Sequence, residues 1–457
     1  MNMKHIVSIT ISALIVLLFQ THVVSAKKPN ILVIMVDDLG YGDLASYGAN
    51  DLRTPAIDSI VNGGIKFTQF YANCPVCSPS RASFITGRYP ELVGVPGVIR
   101  TYPQDNWGYL TPSVVTIGEK MSEAGYSTSL IGKWHLGLTE EHWPNNRGFD
   151  YFRGWLGDMM DDYYLHERHG INYMRFNDEK VDPAGHATDL FTEWACEYLE
   201  EQKDADNPFF LFLSYNAPHT PIQPPEKWLQ DVFRREKAIS ETRAKLVALI
   251  EHMDAGVQSV LNKLEKTGLA KNTLIVFTSD NGGQINVGGQ NGNLRDGKQS
   301  MYEGGIRVPT VFKWHGQIKP GIETSQRGLT MDLYPTLCDA AGIQIKHRID
   351  GVSLLPALRG HSLDNYERDL FFHRREGNQR YQGFITNALI RGDWKILRNS
   401  PFSPLELYNL KTDPAESEDL ADKHPQKFQE LSRALRIQVQ RGGAVPWQPP
   451  ARVDVQP

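Results

Sequence analysis

Two pairs of residues with carboxylate or amide side chains follow apolar runs of the kind that form buried strands, and their side-chain oxygens are hard ligands. Asp37 and Asp38 end one run, and Asp280 and Asn281 end another. Each pair alone would be typical of helix caps and turns, where Asp and Asn are common. In open α/β sheets, however, ligands bind beyond the carboxyl ends of strands. Three carboxylates on one side of a sheet repel each other unless a cation neutralises them, so the set predicts calcium or magnesium rather than zinc.

Two further apolar runs end in basic and imidazole groups. Lys133 and His135 follow one run, and His219 follows another. On their own, such residues are more typical of solvated surface charge and of an ordinary loop histidine. Their position after a strand does not by itself assign them a catalytic role.

Cys74 and Cys77 form a C-x-x-C pair whose chemistry the spacing leaves open. Zinc would need a second pair of ligands, and the other cysteines, Cys196 and Cys338, are isolated. A redox pair is compatible with an exported protein, but a thioredoxin-like context is lacking. The residues after Cys77 indicate a helix start, where the helix dipole favours negative charge, with Arg81 about one turn further on.

The segment Cys77-Ser78-Pro79-Ser80-Arg81, followed by Thr86-Gly87-Arg88, resembles the signature of the type I sulfatases. Phe84 stands where the family often has leucine, which is a hydrophobic exchange. The resemblance covers nearly the whole chain after residue 26, through the segments Asn30–Asp43, Gly132–Gly137, Asp280–Gly282, Gly297-Lys298 and Glu303–Pro309. It implies that Cys77 is converted to formylglycine (3-oxoalanine) by a formylglycine-generating or sulfatase-maturating enzyme.

The resemblance also implies a role for each polar residue. One calcium ion would be bound by Asp37, Asp38, modified Cys77, Asp280 and Asn281. The cationic donors to the sulfate oxygens would be Arg81, Lys133 and Lys298. His135 would help to deprotonate the aldehyde hydrate, and His219, with Lys298 as the second candidate, would protonate the leaving oxygen. One hydroxyl of the hydrate would attack sulfur and the second would expel sulfate, a route that an ordinary Ser or Cys lacks.

Alternating strand and helix signals must position these residues. Runs such as Ile31–Val36 are typical of parallel strands that are buried on both faces. Thr54-Pro55 and Thr111-Pro112 are typical helix starts, and Asp189–Glu201 and Ala244–Lys266 indicate amphipathic helices. The pattern predicts an α/β fold with a large mixed, mostly parallel sheet sandwiched by helices. The resemblance implies that this fold is alkaline-phosphatase-like.

The pattern changes after about residue 365. Short strands are indicated at Leu370–His373, Gly383–Ile390, Trp394–Arg398 and Leu405–Leu410, and a helix at Pro425–Gln440. They predict a small C-terminal antiparallel sheet with one helix, followed by a proline-rich tail. We therefore predict a catalytic domain over residues 27–365 and a C-terminal subdomain with its tail over residues 366–457.

The first 26 residues have the organisation of a secretory signal peptide. Lys4 precedes the apolar run Ile6–Phe19, and Val24-Ser25-Ala26 offers a cleavage site. A retained membrane anchor or a lipid anchor fits this segment less well. No later stretch approaches the ~18 apolar residues of a spanning helix, so we expect no stable membrane insertion. The protein is predicted to be exported, to the periplasm or the medium.

Composition excludes several classes of protein. With 40% hydrophobic and 22% charged residues, the 457-residue chain is not disordered, collagen-like or a coiled coil. A net charge of −5 gives no electrostatic reason to expect a nucleic-acid partner. Four cysteines are too few for a disulfide scaffold.

The sequence therefore predicts an exported bacterial carbohydrate sulfatase, whose partner is a sulfated saccharide from an algal polysaccharide or a glycosaminoglycan. The alternatives are a phosphonate or phosphate ester hydrolase of the same superfold, and a binding protein with a degenerate site. Two loops are candidate substrate subsites or ordinary surface: one with Asn106, Trp107 and Tyr109, and the insertion Asp158–Asp178, with His166, Glu167, Arg168 and His169.

Cleavage of the signal peptide is directly measurable. If Val24-Ser25-Ala26 is the cleavage site, the exported protein begins near Lys27. Amino-terminal sequencing of the protein purified from the periplasm or medium checks this. An intact Met1 on the exported protein would show that the segment is not removed.

Overall fold

A computed structural model describes residues 28–361, 368–377 and 383–442 of the chain. The predicted signal peptide (residues 1–26), the predicted boundary near residue 365 and the tail after residue 442 lie outside these described residues. Within them, no helix combines the length and the apolar character needed to cross a membrane.

A ten-stranded mixed sheet is the frame of the molecule. The strands up to residue 329 are β1 (Asn30–Val36), β2 (Ile65–Tyr71), β3 (Ser127–Lys133), β4 (Tyr151–Trp155), β5 (Glu167–Arg168), β6 (Ile171–Asn172), β7 (Met174–Phe176), β8 (Glu179–Lys180), β9 (Phe209–Ser214), β10 (Thr273–Ser279), β11 (Thr310–Trp314) and β12 (Ile322–Leu329). The spatial order is β12-β2-β11-β10-β1-β9-β3-β4-β7-β8, and β5 pairs only with β6. The five strands from β10 to β4 are parallel, while β11 runs antiparallel to β10 and to β2. The predicted mixed, mostly parallel sheet is confirmed.

Ten helices are described, and most of them cover the two faces of this sheet. They are α1 (Pro55–Asn62), α2 (Cys77–Thr86), α3 (Ile117–Glu123), α4 (Ala187–Glu201), α5 (Glu226–Arg235), α6 (Glu241–Lys266), α7 (Glu303–Ile306), α8 (Leu333–Ala340), α9 (Leu355–Leu358) and α10 (Pro425–Gly442). Leu32 and Ile34 of β1 pack with α1, α4, α5 and α6, whereas Ile31 and Val33 pack with α2, α3, α8 and α9. Because β1 is buried on both faces, its sequence is a continuous apolar run.

The third helix begins later than its sequence suggested. We predicted a helix start at Thr111-Pro112, but α3 begins at Ile117. The reason is a capping box: the backbone N–H of Glu119 donates to Thr116 Oγ1 (3.1 Å), and the backbone N–H of Thr116 donates to the Glu119 carboxylate (2.8 Å). These two bonds satisfy orphan donors at Thr116, so the helix starts there rather than five residues earlier.

A second, four-stranded antiparallel sheet lies at the carboxyl end. Its strands are β13 (Leu370–Arg375), β14 (Ile385–Arg391), β15 (Trp394–Arg398) and β16 (Glu406–Asn409), and α10 packs on it. This confirms the predicted small sheet with one helix. Apolar side chains of β13–β16 and α10 share one cluster with Met301 and Ile306, which lie between β10 and β11 of the large sheet.

A buried ion cluster joins the small sheet to the rest of the molecule. The Lys395 ammonium lies 2.9 Å from Glu303 Oε1 and 2.8 Å from Glu416 Oε1, and all three side chains are fully buried. Tyr71 also donates to Glu303 Oε2 (3.1 Å). Two buried carboxylates therefore share the Lys395 ammonium, and Arg307 Nη1 lies 3.6 Å from Glu303 Oε2.

Loss of that ammonium is expected to destabilise the protein strongly. Lys395→Met would leave two buried carboxylates facing each other, and removal of one partner from a buried ion cluster costs about 3–5 kcal/mol. Urea unfolding measures the loss. Lys411→Met is the control, because the Lys411 side chain is 75% exposed. Equal stability of the two variants would contradict the assigned role of Lys395.

Candidate active site

Four neighbouring strands bring the predicted polar residues to one edge of the sheet. β10, β1, β9 and β3 are adjacent and parallel, so their carboxyl ends lie side by side. Asp280 and Asp37 directly follow β10 and β1, Lys133 ends β3, and His219 follows β9 after a short loop. The sequence separates these residues by up to 243 positions along the chain, as in the contact of Asp38 with Asn281.

Asp37, Asp38 and Asp280 form a buried acidic cluster. One carboxylate oxygen of each lies within 4.8 Å of the others, and no side chain of the three is more than 4% exposed. The backbone N–H of Asp38 donates to Asp280 Oδ1 (3.2 Å), and Asn281 Nδ2 donates to Asp38 Oδ1 (2.8 Å). Burial, together with the charge of Asp37, raises the pKa of Asp280 to about 7.

Two oxygens of this cluster lack hydrogen-bond partners. Asp37 Oδ1 and Asn281 Oδ1 are buried and accept no hydrogen bond from any described residue. Buried acceptors without partners are costly and rare. Because the donors are all hard oxygens and already converge, the residues fit a divalent cation such as calcium or magnesium.

Arg81 and Lys133 provide opposite charge from behind the cluster. Arg81 donates to Asp280 Oδ2 through both Nε (3.1 Å) and Nη2 (2.8 Å), and Lys133 forms an ion pair with Asp37. Burial by itself would raise the pKa of Asp37, but Lys133, His219 and the other nearby cations outweigh it, so the pKa lies well below the usual range. Asp37 is therefore ionised at neutral pH.

Lys298 and His219 approach the cluster from its open side. Lys298 Nζ donates to Asp38 Oδ2 (2.7 Å), and His219 Nε2 lies 3.6 Å from the same oxygen. His219 Nδ1 lies 2.7 Å from the carbonyl of Thr220, which can only accept, so Nδ1 carries the proton of the neutral ring. Burial and the charge of Lys298 lower the pKa of His219. The pKa of Lys298 is raised, because Asp38 and its neighbours outweigh the cost of burial.

Cys77 is the first residue of α2, as the sequence predicted. It is 3% exposed, and its Sγ lies within 4.8 Å of ligand atoms of Asp37 and His219. Burial raises the pKa of the Cys77 thiol to about 11, although Lys133 and Lys298 act in the opposite direction. An unmodified thiol here is protonated at neutral pH and is a weak nucleophile.

Comparison with known sequences identifies the family. The sulfatase family model matches residues 29–343, and the model described as N-sulphoglucosamine sulphohydrolase, C-terminal, matches residues 294–442. The chain belongs to the sulfatase family. It is therefore a sulfuric ester hydrolase.

Curated relatives agree with this assignment. The chain is 32% identical over 374 residues to the N-acetylgalactosamine-6-sulfatase of Mus musculus, a match that spans 76% of this chain and 69% of the relative. It is also 32% identical over 433 residues to the steryl-sulfatase of Rattus norvegicus, spanning 76% of this chain and 72% of the relative. These two relatives are named for different classes of substrate.

Solved structures are similar over most of the chain. Ps i-CgsB in complex with k-i-k-neocarrahexaose superposes with a TM-score of 0.83 at 30% identity, covering 90% of this chain and 93% of that one. A phosphonate monoester hydrolase of Agrobacterium radiobacter superposes with a TM-score of 0.68 at 19% identity, covering 92% and 96% of the two chains. The second likeness shows the fold alone. The expected alkaline-phosphatase-like sulfatase fold is confirmed.

In this sulfatase, a cleft of about 260 Å³ opens above Cys77. Cys77, His135, His219 and Lys298 line it, whereas Arg81 and Lys133 do not and are fully buried. Of the predicted cationic residues, only Lys298 thus reaches the cleft directly. Arg81 and Lys133 contact the acidic cluster instead.

His135 has one free ring nitrogen at this cleft. Its Nε2 lies 2.7 Å from the carbonyl of Ile99, so Nε2 carries the proton of the neutral ring. Nδ1 is buried and has no partner among the described residues. Burial, with the charges of Lys133 and Arg81, holds the pKa of His135 well below its usual value. The ring is therefore neutral and offers Nδ1 as a proton acceptor.

The two candidate subsite loops differ in what they contribute. Arg168 and His169 line the cleft, as predicted for a substrate subsite. His166 is buried, with Nε2 3.0 Å from the carbonyl of Gly185, and has a structural role. Asn106 is also buried and bonds the backbone of its own loop.

The sequence analysis missed two residues that form hydrogen bonds with predicted site residues. Arg81 Nη1 donates to Ser214 Oγ (2.5 Å), and the Tyr163 hydroxyl donates to the carbonyl of His219 (2.9 Å). Ser214 could have been found, because it lies near the end of the apolar run over residues 209–215, which predicts a strand. Tyr163 lies in the polar insertion and carries no signal of its contact with His219.

Removal of divalent metal should lower stability. A ligand of the native state stabilises it by about 2.7 kcal/mol when its free concentration exceeds Kd roughly a hundredfold. Adding calcium to chelator-treated protein should therefore raise the thermal unfolding midpoint, and Asp280→Asn should abolish the rise. Asp206→Asn, a change of an exposed loop carboxylate, should retain it. A metal-free wild-type protein with an unchanged midpoint would contradict the metal site.

Proposed function

We propose that this sulfatase is exported and hydrolyses sulfate esters of a sulfated carbohydrate, with formylglycine at position 77 and one calcium ion. The observation that carries the proposal is the setting of Cys77. It begins a helix at the floor of the cleft, beside a buried acidic cluster, with Lys298 and two histidines around it. The export part rests on residues 1–26 of the sequence.

The cleft supports a saccharide rather than a sterol. Three arginines (Arg100, Arg168 and Arg374) line it together with Asp158 and Asp105. Charged side chains suit a hydroxyl-rich, anionic sugar, whereas a steroid needs an apolar pocket. The similarity to a structure solved with k-i-k-neocarrahexaose also supports a saccharide substrate.

The high pKa of the Cys77 thiol supports its conversion to formylglycine. A thiol with a pKa of about 11 supplies little thiolate at neutral pH. The aldehyde hydrate would instead supply one hydroxyl for attack on sulfur and a second whose deprotonation releases sulfate. His135 Nδ1, buried and unpartnered, is the group that we assign to take up that proton.

Lys298 and His219 have different roles at the sulfate ester: one binds a sulfate oxygen and the other protonates the leaving oxygen. Lys298 keeps its proton because of Asp38, so it can donate to a sulfate oxygen. The negative charge of a bound sulfate favours a proton on His219 Nε2, which can then pass to the leaving oxygen; Lys298 is the second candidate for this step. Asp37, Asp38, Asp280 and Asn281 would hold the calcium ion, which when bound polarises a sulfate oxygen.

Activity of cysteine variants tests the proposal. Wild-type protein produced with a maturating enzyme is screened for sulfate release from defined algal and glycosaminoglycan oligosaccharides, a steroid sulfate and 4-nitrophenyl sulfate. Cys77→Ala should lower turnover by at least about a thousandfold without unfolding the protein. Cys74→Ala, the matched change three residues away, should keep most activity.

Mass spectrometry supplies the second readout. The peptide containing residues 74–81 should lose sulfur at position 77 and become reactive towards a hydrazide probe. Wild-type turnover by a folded Cys77→Ala protein would refute the nucleophile. Turnover of the steroid sulfate alone would refute the saccharide, and active enzyme with Cys74 and Cys77 joined would restore the redox interpretation.

A further inference from the structure

Two aromatic rings from distant loops stack at the mouth of the cleft. The ring centroids of Tyr102 and His169 are 5.2 Å apart, with an interplanar angle of 19°. Both residues line the same cleft as Cys77. Tyr102 is 39% exposed, although it is a large aromatic side chain that would normally bury its ring.

The backbone that carries the His169 ring is held by its own loop. It lies at the tip of the β5–β6 hairpin, where His169 (φ 54°) and Gly170 (φ 75°) both adopt the left-handed conformation. Its backbone N–H donates to Asp161 Oδ2 (2.7 Å), and Arg168 pairs with the other oxygen of Asp161. Histidine is, with Asn and Asp, one of the non-glycine residues most often found in this conformation, so the turn accommodates the imidazole without unusual strain.

The Tyr102 loop is equally well held. Pro103 begins a short 3-10 turn directly after Tyr102. Asn106 accepts from the backbone N–H of Arg100 (2.6 Å) and donates to the Arg100 carbonyl (3.1 Å), which closes the loop. Both loops are thus held by hydrogen bonds, and the two rings contact each other without a ligand, which lowers the entropy cost of ordering them on binding.

The size of the cleft indicates which part of a substrate would contact these rings. Its volume of about 260 Å³ is below the ~300–1,000 Å³ typical of pockets for drug-sized ligands. It therefore accommodates the sulfated unit, and the remainder of an oligosaccharide must lie over the rim. A pyranose has a C–H face, which packs on the electron-rich face of an aromatic ring, and a hydroxyl edge, which stays hydrated.

We propose that Tyr102 and His169 form an aromatic platform that binds the sugar ring linked to the sulfated unit. The ligand is the C–H face of a pyranose within an oligosaccharide, so the platform selects oligosaccharides over small aryl sulfates. This inference rests on the proposed function of the cleft.

Ring variants at position 102 test the platform. The substrates are the oligosaccharide of the screen that releases sulfate fastest, and 4-nitrophenyl sulfate. For Tyr102→Leu, the ratio of kcat/KM for the oligosaccharide to that for 4-nitrophenyl sulfate should fall about three- to tenfold, mainly through KM. Tyr102→Phe keeps the ring and should keep the ratio.

Two further variants separate the platform from loop packing. His169→Asn removes the ring but introduces a residue that also tolerates the left-handed conformation. The ratio of the two kcat/KM values should therefore fall as for Tyr102→Leu. Tyr164→Leu is the control, because Tyr164 is 43% exposed and does not line the cleft. Its ratio should stay within about twofold of wild type.

Each other result overturns the proposal. Equal losses on both substrates for Tyr102→Leu would show a packing role only, and unchanged kinetics would show no role in binding. If wild-type protein cleaves 4-nitrophenyl sulfate but no oligosaccharide, the saccharide function itself is wrong and the platform falls with it. Oligosaccharide turnover with an unchanged ratio would refute the platform alone.

Discussion

Neutralisation of buried charge is the constraint on which the rest of the structure depends. Asp37 and Asp280 are fully buried, and so are Arg81 and Lys133, which pair with them. Removing such charges from water costs several kcal/mol each, and only close, well-oriented partners compensate. The strand ends must therefore be held firmly in place relative to one another. Backbone bonds do this: Asp37 N–H donates to Ala217 O and Asp280 N–H to Val36 O, both at 3.1 Å.

The small sheet extends this support to the open side of the site. Lys298 lies in a loop. The residues that follow it in this loop are hydrogen-bonded to the carboxyl-terminal part of the chain. Met301 N–H donates to Asn399 Oδ1 (2.6 Å), and Glu303 N–H donates to Glu416 Oε2 (2.6 Å). Because Lys395 neutralises Glu303 and Glu416, the buried ion cluster also holds the loop that carries Lys298. The second sheet is thus part of the architecture of the site.

The sequence predicts those parts of the fold whose local pattern is unambiguous. β1, β9 and β10 are continuous apolar runs, so they could be recognised and their polar ends compared. β2 (IKFTQFY) and β12 (IETSQRGL) lie towards the sheet edge and mix polar with apolar residues, so they were not predicted. The predicted start of α3 at Thr111-Pro112 is wrong, because proline is favoured both in turns and at helix starts and the sequence alone does not distinguish the two. Contacts such as Arg81 with Ser214 depend on how α2 packs against β9, which no local pattern encodes.

Burial and opposing charges at Cys77 bear on the oxygen nucleophile that we propose for this site. Lys133 and Lys298 stabilise negative charge at position 77, whereas Asp37 and Asp280 oppose it, and burial adds to the opposition. The effects that disfavour the thiolate are the stronger ones, because the pKa of the Cys77 thiol rises to about 11. The same carboxylates that disfavour a thiolate supply the hard oxygens that a divalent cation prefers. One charge arrangement therefore disfavours cysteine chemistry at position 77 and is consistent with the cation-supported hydroxyl that we propose there.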